Sequence, residues 1–342
     1  DEIRSRYADY FARLPLADLA HHLQSGDRAA LGRAITLVES SRPADQEQAR
    51  ALLGLCSTPT TPTLRIGITG IPGVGKSTLI DALGIALIDA GHRVAVLAVD
   101  PSSVRSGGSI LGDKTRMERL SQHPDAFIRP TATGGALGGV ARRTRESILL
   151  CEAAGYDRIL IETVGVGQSE LEVDRMTDLT VLLMIAGAGD ELQGIKRGIM
   201  ETADVVVLTK VEGEGRSRAE TAARDLRNAI HLLPVRPSGV HPQVFLVSAI
   251  GGEGMPDLAR HLEERYNALL ASGRFMQNRA EQGLHAMYHQ LLDGLRDLLD
   301  HDPVIAELRA RLEAQVAEGF LSPTEAAEQV LTRFRTGGAP RP

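Results

Sequence analysis

The 342-residue sequence has no tryptophan and only 3% aromatic residues. A surface that stacks single-stranded bases needs aromatic platforms, so that function is disfavoured. Cysteine is scarce as well. Cys56 and Cys151 stand far apart, with no CxxC pair and no disulfide framework. They read as small apolar residues in a reducing compartment. No run of about 18 apolar residues suggests a membrane span. The opening Asp1-Glu2-Ile3-Arg4 lacks the apolar core of a signal peptide. The chain starts without Met, which leaves room for a removed segment. A basic excess is also missing: Lys+Arg is 38 against Asp+Glu 44, a net charge of −6. General nucleic-acid binding rests on phosphate neutralisation and is not expected here. These absences point to a cytoplasmic protein, or a mitochondrial-matrix one if a eukaryotic transit segment has been removed, with neither nucleic acid nor membrane as partner.

What is present is an ordinary globular balance of 24% charged and 43% hydrophobic residues. Residues 1–56 read as helices, with Leu16, Leu19, Leu23 and Ala30, Leu31, Ala34, Ile35, Val38 at three- and four-residue steps. Ser25-Gly26-Asp27 supplies a break and a cap between them. The Thr- and Pro-rich stretch from Ser57 to Thr63 reads as an extended linker. From Arg65 onward, six short apolar runs alternate with helical stretches. They are centred on 66–69, 94–99, 159–161, 181–185, 205–208 and 244–247. That pattern predicts an α/β fold, a mostly parallel sheet covered by helices on both faces. Ligands of such sheets sit at the carboxyl ends of the strands. After about residue 256 the strand signal stops. Leu284, Met287, Tyr288, Leu291, Leu292, Leu295, Leu298 and Leu299 form an apolar helical stripe. Ser322-Pro323-Thr324-Glu325 reads as a capping box that opens another helix.

Gly70-Ile71-Pro72-Gly73-Val74-Gly75-Lys76-Ser77 fits GxxxxGK[ST] between a strand and a helix, the context that phosphate loop requires. Glycines let backbone N–H groups face a polyphosphate, and the helix presents its positive end to the same anions. Lys76 reaches phosphate oxygens, the Ser77 hydroxyl suits Mg²⁺, and Thr78 adds a phosphate contact. Asp100, Asp113, Glu162, Asp190 and Glu191 lie at or after strand ends. Mg²⁺ on a nucleotide takes only one or two carboxylates, so these acids cannot all be ligands. As a set they favour hydrolysis over passive binding. The Gly165 amide is placed to sense a terminal phosphate. Arg105, Lys114 and Lys196 are cationic candidates for transition-state charge.

Thr209-Lys210-Val211-Glu212 ends the fifth run and Ser248-Ala249-Ile250 the sixth. A carboxylate there accepts from the N1–H and exocyclic amine of guanine, a donor pair adenine lacks. The Lys210 stem covers the base, and the Ser-Ala backbone meets guanine O6. His285 and His289 have the spacing of a metal pair, but Ala286-Met287-Tyr288 between them is not the HExxH pattern. They read as ordinary core or surface histidines, as do the adjacent His21 and His22, which cannot share a helix face.

Across roughly residues 20–270 these segments resemble the MeaB/ArgK-type GTPases, the methylmalonyl-CoA mutase-associated proteins. The blocks at 67–84, 94–103, 107–117, 160–170 and 187–199 carry the resemblance. It implies a P-loop GTPase domain over 57–271, a helical N-terminal extension over 1–56, and a C-terminal helical region over 272–342 that dimerises. It further implies a GTP-hydrolysing chaperone using GTP/GDP and Mg²⁺. Such a chaperone gates adenosylcobalamin delivery from an adenosyltransferase to an adenosylcobalamin-dependent acyl-CoA mutase, and protects or reactivates that mutase. By the same match Lys76, Ser77 and Thr78 bind phosphate and Mg²⁺, and Asp100, Asp113 and Glu162 serve metal and water. The segment 190–196 is a third switch with Lys196 as catalytic cation.

One departure stands out. The family reads the base with Asn-Lys-x-Asp, where this chain has Thr209-Lys210-Val211-Glu212. The longer Glu must retract or the base must shift. Other readings are a nucleotide-dependent protein kinase linked to amino-acid transport, a metal-insertion GTPase, and a purely structural nucleotide-binding dimer. No acceptor-positioning base supports the first, and no CxxC or His-rich run supports the second. The stripe at 284–299 packs either on its own chain or in a homodimer seam, and the resemblance favours the seam.

Overall fold

A computed structural model describes residues 14–56, 62–100, 117–132, 137–163, 169–185, 197–212, 215–231 and 240–337. Contacts divide the chain into two compact units, residues 1–282 and 283–342.

The first unit opens with helices α1 (Leu16–Gln24), α2 (Arg28–Glu39) and α3 (Pro43–Leu55). The Asp27 carboxylate caps α2 by accepting from the amides of Ala29 (2.7 Å) and Ala30 (3.0 Å). Pro43 begins α3, where its missing N–H costs nothing. The α/β region follows in the order β1 (Leu64–Gly70), α4 (Lys76–Asp89), β2 (Val94–Asp100), α5 (Glu118–Gln122), β3 (Ala126–Ala132), α6 (Leu137–Ala153), β4 (Arg158–Thr163), α7 (Ser169–Asp174), β5 (Leu179–Ile185), α8 (Arg197–Thr202), β6 (Val205–Thr209), α9 (Gly215–Ile230), β7 (Gln243–Val247) and α10 (Met255–Ala271). The helix α11 (Arg274–His301) begins in this unit. The seven strands form one sheet in the order β3-β2-β4-β1-β5-β6-β7, with every pairing parallel.

The period of two along each strand sorts side chains to opposite faces. Val94 and Val96 of β2 join Leu79, Leu83 and Leu258 of α4 and α10 in one core. Ala95, Leu97 and Val99 join Leu31, Ile35, Leu52 and Ile148 in the other, so α1–α3 and α6 cover that face. A third cluster, with Leu182, Val206, Leu208 and Leu226, lies between β5, β6 and α9. Both cysteines are free; Cys151 is buried, and burial raises its thiol pKa.

The six apolar runs fall on six of the strands. The seventh, β3, has no such run: Arg129, Pro130 and Thr131 interrupt it. Its edge position explains this. Proline is tolerated there because one side of the strand needs no partner. Arg129 bonds Glu39 and, at 3.2 Å, Thr36 of α2.

At the amino ends of the strands lies a buried ion network that periodicity does not reveal. Arg65 donates two bonds to Glu152, at 2.7 and 2.9 Å. Its backbone N–H donates to Asp178 at 2.8 Å. Arg279, on the first turns of α11, donates to Asp178 (2.8 Å) and to the Thr63 carbonyl (2.7 Å). Burial raises the Asp178 carboxyl to about 7, against the pull of Arg65.

The second unit contains the rest of α11, then α12 (Pro303–Ala317) and α13 (Pro323–Gly337). Asp302 caps α12 by accepting from Val304 N at 2.8 Å. Ser322 Oγ accepts from Glu325 N at 3.1 Å, at the capping box seen in the sequence. The stripe residues Leu284, Met287, Tyr288, Leu291, Leu292, Leu295 and Leu298 are exposed. Among the described residues, no helix is long and apolar enough to cross a membrane.

Candidate nucleotide site

The order of the strands brings the phosphate loop and a carboxylate together. β1 pairs with β4 in a register that sets Ile68 beside Glu162, so β4 ends next to the start of the loop. The turn after β1 requires glycine. Gly70 has φ +149°, and a Cβ there would lie 2.6 Å from the Leu183 carbonyl. Gly75 has φ +102° and leads directly into α4.

Lys76 and Ser77 open α4 and are buried. The Lys76 ammonium folds over the loop, donating to the carbonyls of Gly70 (2.8 Å) and Ile71 (3.1 Å). Ser77 Oγ donates to Glu162 Oε1 at 3.0 Å. Glu162 is itself buried. One residue on, Thr163 Oγ1 donates to Thr69 Oγ1 at 3.0 Å and locks the ends of β4 and β1 together. Sequence reasoning did not pick out Thr69 or Thr163. Their signal is a hydroxyl residue at the end of each apolar run. Thr78 is exposed on the first turn of α4, and Val74 is buried beneath the loop.

The Asp100 backbone ends β2, one residue past the point where Val99 pairs with Thr163; its side chain lies outside the described residues. Arg105, Asp113, Lys114, Gly165, Asp190, Glu191 and Lys196 also lie outside them.

The two segments expected from the sequence to meet the base come together as well. β6 and β7 pair with Thr209 beside Val247, which places Lys210 and Ser248 at neighbouring strand ends. Thr209 Oγ1 donates to the Val74 carbonyl at 2.7 Å, tying this segment to the phosphate loop. Lys210 adopts φ +60°, rare for a residue with a side chain, and its ammonium donates to the Gly73 carbonyl at 3.0 Å. Ser248 Oγ donates to Glu212 Oε1 and accepts from Gly251 N at 2.9 Å. The extra methylene of Glu212 is therefore accommodated by a carboxylate turned onto the Ser248 hydroxyl. Ala249 is half-buried and Ile250 is exposed at the same rim. Chemically, the loop, the helix start, a hydroxyl–carboxylate pair and a second carboxylate near a lysine suit a nucleoside polyphosphate.

The comparisons with known proteins agree with this geometry. A family model described as methylmalonyl-CoA mutase-associated GTPase MeaB matches residues 31–303. A probable GTPase of Mycobacterium tuberculosis is 51% identical, over 92% of this chain and 93% of its own. The GTPase ArgK of Escherichia coli is 46% identical, over 80% of this chain and 83% of its own. The mitochondrial methylmalonic aciduria type A homolog of Mus musculus is 44% identical, over 92% of this chain and 78% of its own. Among solved structures, one described as LAO/AO transport system kinase superposes with a TM-score of 0.73 at 36% identity, covering 94% of this chain and 97% of that one. With a phosphate loop on β1, a seven-stranded parallel sheet and these relatives, the chain belongs to the MeaB family of GTPases.

Proposed function

We propose that this chain hydrolyses GTP to GDP and phosphate as a chaperone of an adenosylcobalamin-dependent acyl-CoA mutase, methylmalonyl-CoA mutase foremost. In this reading it gates delivery of the cofactor from an adenosyltransferase and protects or reactivates the mutase. The hydrolytic half is carried by the contact between Ser77 and Glu162 at the end of the phosphate loop. The partner half is supported by the family description and by the name of the mouse relative.

A hydroxyl and a carboxylate are the hard oxygen donors that Mg²⁺ prefers. Ser77 and Glu162 are our choice to hold that ion or its waters, with Asp100 and Asp113 as further carboxylates. When bound, Mg²⁺ supplies positive charge to the phosphate oxygens. The amides of the loop from Gly70 to Gly75, including Gly73 and Val74, cradle the phosphates. Lys76 and Thr78 contact them, Gly165 reports on the terminal one, and Lys196 stabilises developing charge. Glu212 reads guanine, the Lys210 stem covers the base, Thr209 braces the segment, and Ser248, Ala249 and Ile250 line its other edge.

Residues 57–271 form the nucleotide module in this reading, 1–56 a helical extension and 272–342 the dimerising region. The exposed stripe from Leu284 to Leu298 supports a homodimer. A dimer mass in solution that falls to a monomer in Leu291→Asp/Leu295→Asp fits; a monomeric native chain overturns that part. A cytoplasmic or mitochondrial-matrix location follows from the partner proposed.

The test is GTP turnover with and without the mutase, with ATP run in parallel. Acceleration of GTP but not ATP turnover is the expected result. No stimulation by any acyl-CoA mutase overturns the partner. The similarity to a solved protein described as a transport system kinase favours a second reading, a kinase. Transfer of label from ATP to a protein, rather than to water, would establish that one.

A further inference from the structure

The apolar stripe of α11 is flanked by a feature that the nucleotide chemistry does not use. His285 and His289 lie one helical turn apart, and their ring centroids are 4.2 Å apart with planes inclined by 56°. We propose that these two imidazoles form a chelating site for a borderline transition-metal dication, Zn²⁺, Ni²⁺ or Cu²⁺.

Three observations support it. Residues four apart on a helix share a face, so both rings project from the same side of α11. Rings this close bring one nitrogen of each within reach of a single ion at about 2.0–2.1 Å. Both residues are half-buried, which limits the freedom each would lose on binding. The helix already holds the two ligands in register, so the second imidazole adds affinity at little further cost in order.

The chemistry sets the ion class. Imidazole suits Zn²⁺, Ni²⁺ and Cu²⁺, whereas Mg²⁺ takes oxygen donors. The site therefore ignores the ion that accompanies the nucleotide. Two ligands leave positions open in a tetrahedral shell, for water or for groups from another molecule. At about 100° per residue, His285 and His289 sit beside Tyr288 and Leu292 on the helix surface. A bound ion thus stands at the margin of the stripe, where a second copy of the chain could supply the remaining ligands.

The experiment uses the full chain, stripped with a chelator and dialysed against micromolar Zn²⁺ or Ni²⁺ with Mg²⁺ present throughout. Uptake is measured by elemental analysis, alongside the thermal midpoint. The wild-type chain is expected to take up one ion per chain, or one per two chains where a second copy completes the shell. His285→Gln and His289→Gln are each expected to weaken uptake about tenfold or more and to abolish the rise in midpoint. GTP turnover with Mg²⁺ as the sole added metal stays at the native level in both. No uptake by the wild-type chain overturns the proposal, and so does equal uptake by both variants, which would assign the ion to other histidines.

Discussion

Ser77 Oγ and Glu162 Oε1 stand 3.0 Å apart although 85 residues separate them along the chain. Parallel pairing of β1 and β4 creates this contact, because it ends both strands at one level. Glu162→Gln keeps the shape and removes the charge. Its GTP turnover is expected to fall about a hundredfold with the thermal midpoint preserved. Phosphate release measured at saturating GTP checks this, and an unchanged rate would take Glu162 out of the reacting centre.

The Ser248 hydroxyl holds the Glu212 carboxylate. Removing a hydrogen bond to a charged group costs about 1.5–3 kcal/mol, which is roughly tenfold or more in binding. Ser248→Ala should raise KM for GTP by about that factor and leave kcat alone. Ser248→Thr, which keeps the hydroxyl, should recover most of it. Glu212→Asp restores the length usual in the family and should sharpen the preference for GTP over ATP. An unchanged preference counts against a specificity effect at this residue.

Arg279 is the only described cation bonded to both Asp178 and the Thr63 carbonyl. Its loss leaves a buried carboxylate with less compensation, which typically costs about 3–5 kcal/mol. Arg279→Ala should lower the urea midpoint accordingly. Arg279→Met combined with Asp178→Asn should regain part of the loss, since no charge is then stranded. Equal midpoints for the single and double variants would show that the charge is solvated.

His261 packs its ring 5.1 Å from that of Phe245. Burial first, and the neighbouring Arg265 second, lower its pKa below the ordinary 6.5. The fold therefore prefers the neutral imidazole. Its contribution is present above the ordinary value and is lost as pH falls through the lowered one. Denaturant midpoints of the wild-type chain should drop on acidification below about pH 6.5 more steeply than those of His261→Gln. Parallel slopes would exclude His261 as the source.

Much of this architecture is legible in the sequence because fully buried parallel strands are short apolar runs. β1, β2 and β4 to β7 are visible that way, as is the phosphate loop between β1 and α4. β3 escapes because an edge strand need not be apolar, and Arg129 and Pro130 look like loop residues. The pairing of Ser77 with Glu162 is implied by the family resemblance, which sets both at the metal, but not by periodicity, because it depends on strand order. Arg65, Glu152, Asp178 and Arg279 come from four separate stretches of chain, each ordinary when read alone. At the proposed base site, the Glu at position 212 is plain in the sequence, but its bond to the Ser248 hydroxyl becomes visible only once β6 and β7 are side by side.

The edge strand β3 also limits how copies of this protein can meet. A strand added outside β3 would need a continuous ladder of amide donors, and Pro130 has none to give. Beside it, Arg129 is committed to Glu39, so the flank is charged and occupied. Continuous sheets across two molecules are thus discouraged at this border, as is the cross-strand templating that leads to aggregates. On this side of the sheet, self-association is left to surfaces built from helices, where contacts are side chain to side chain and can be remade without disturbing the sheet that holds the nucleotide.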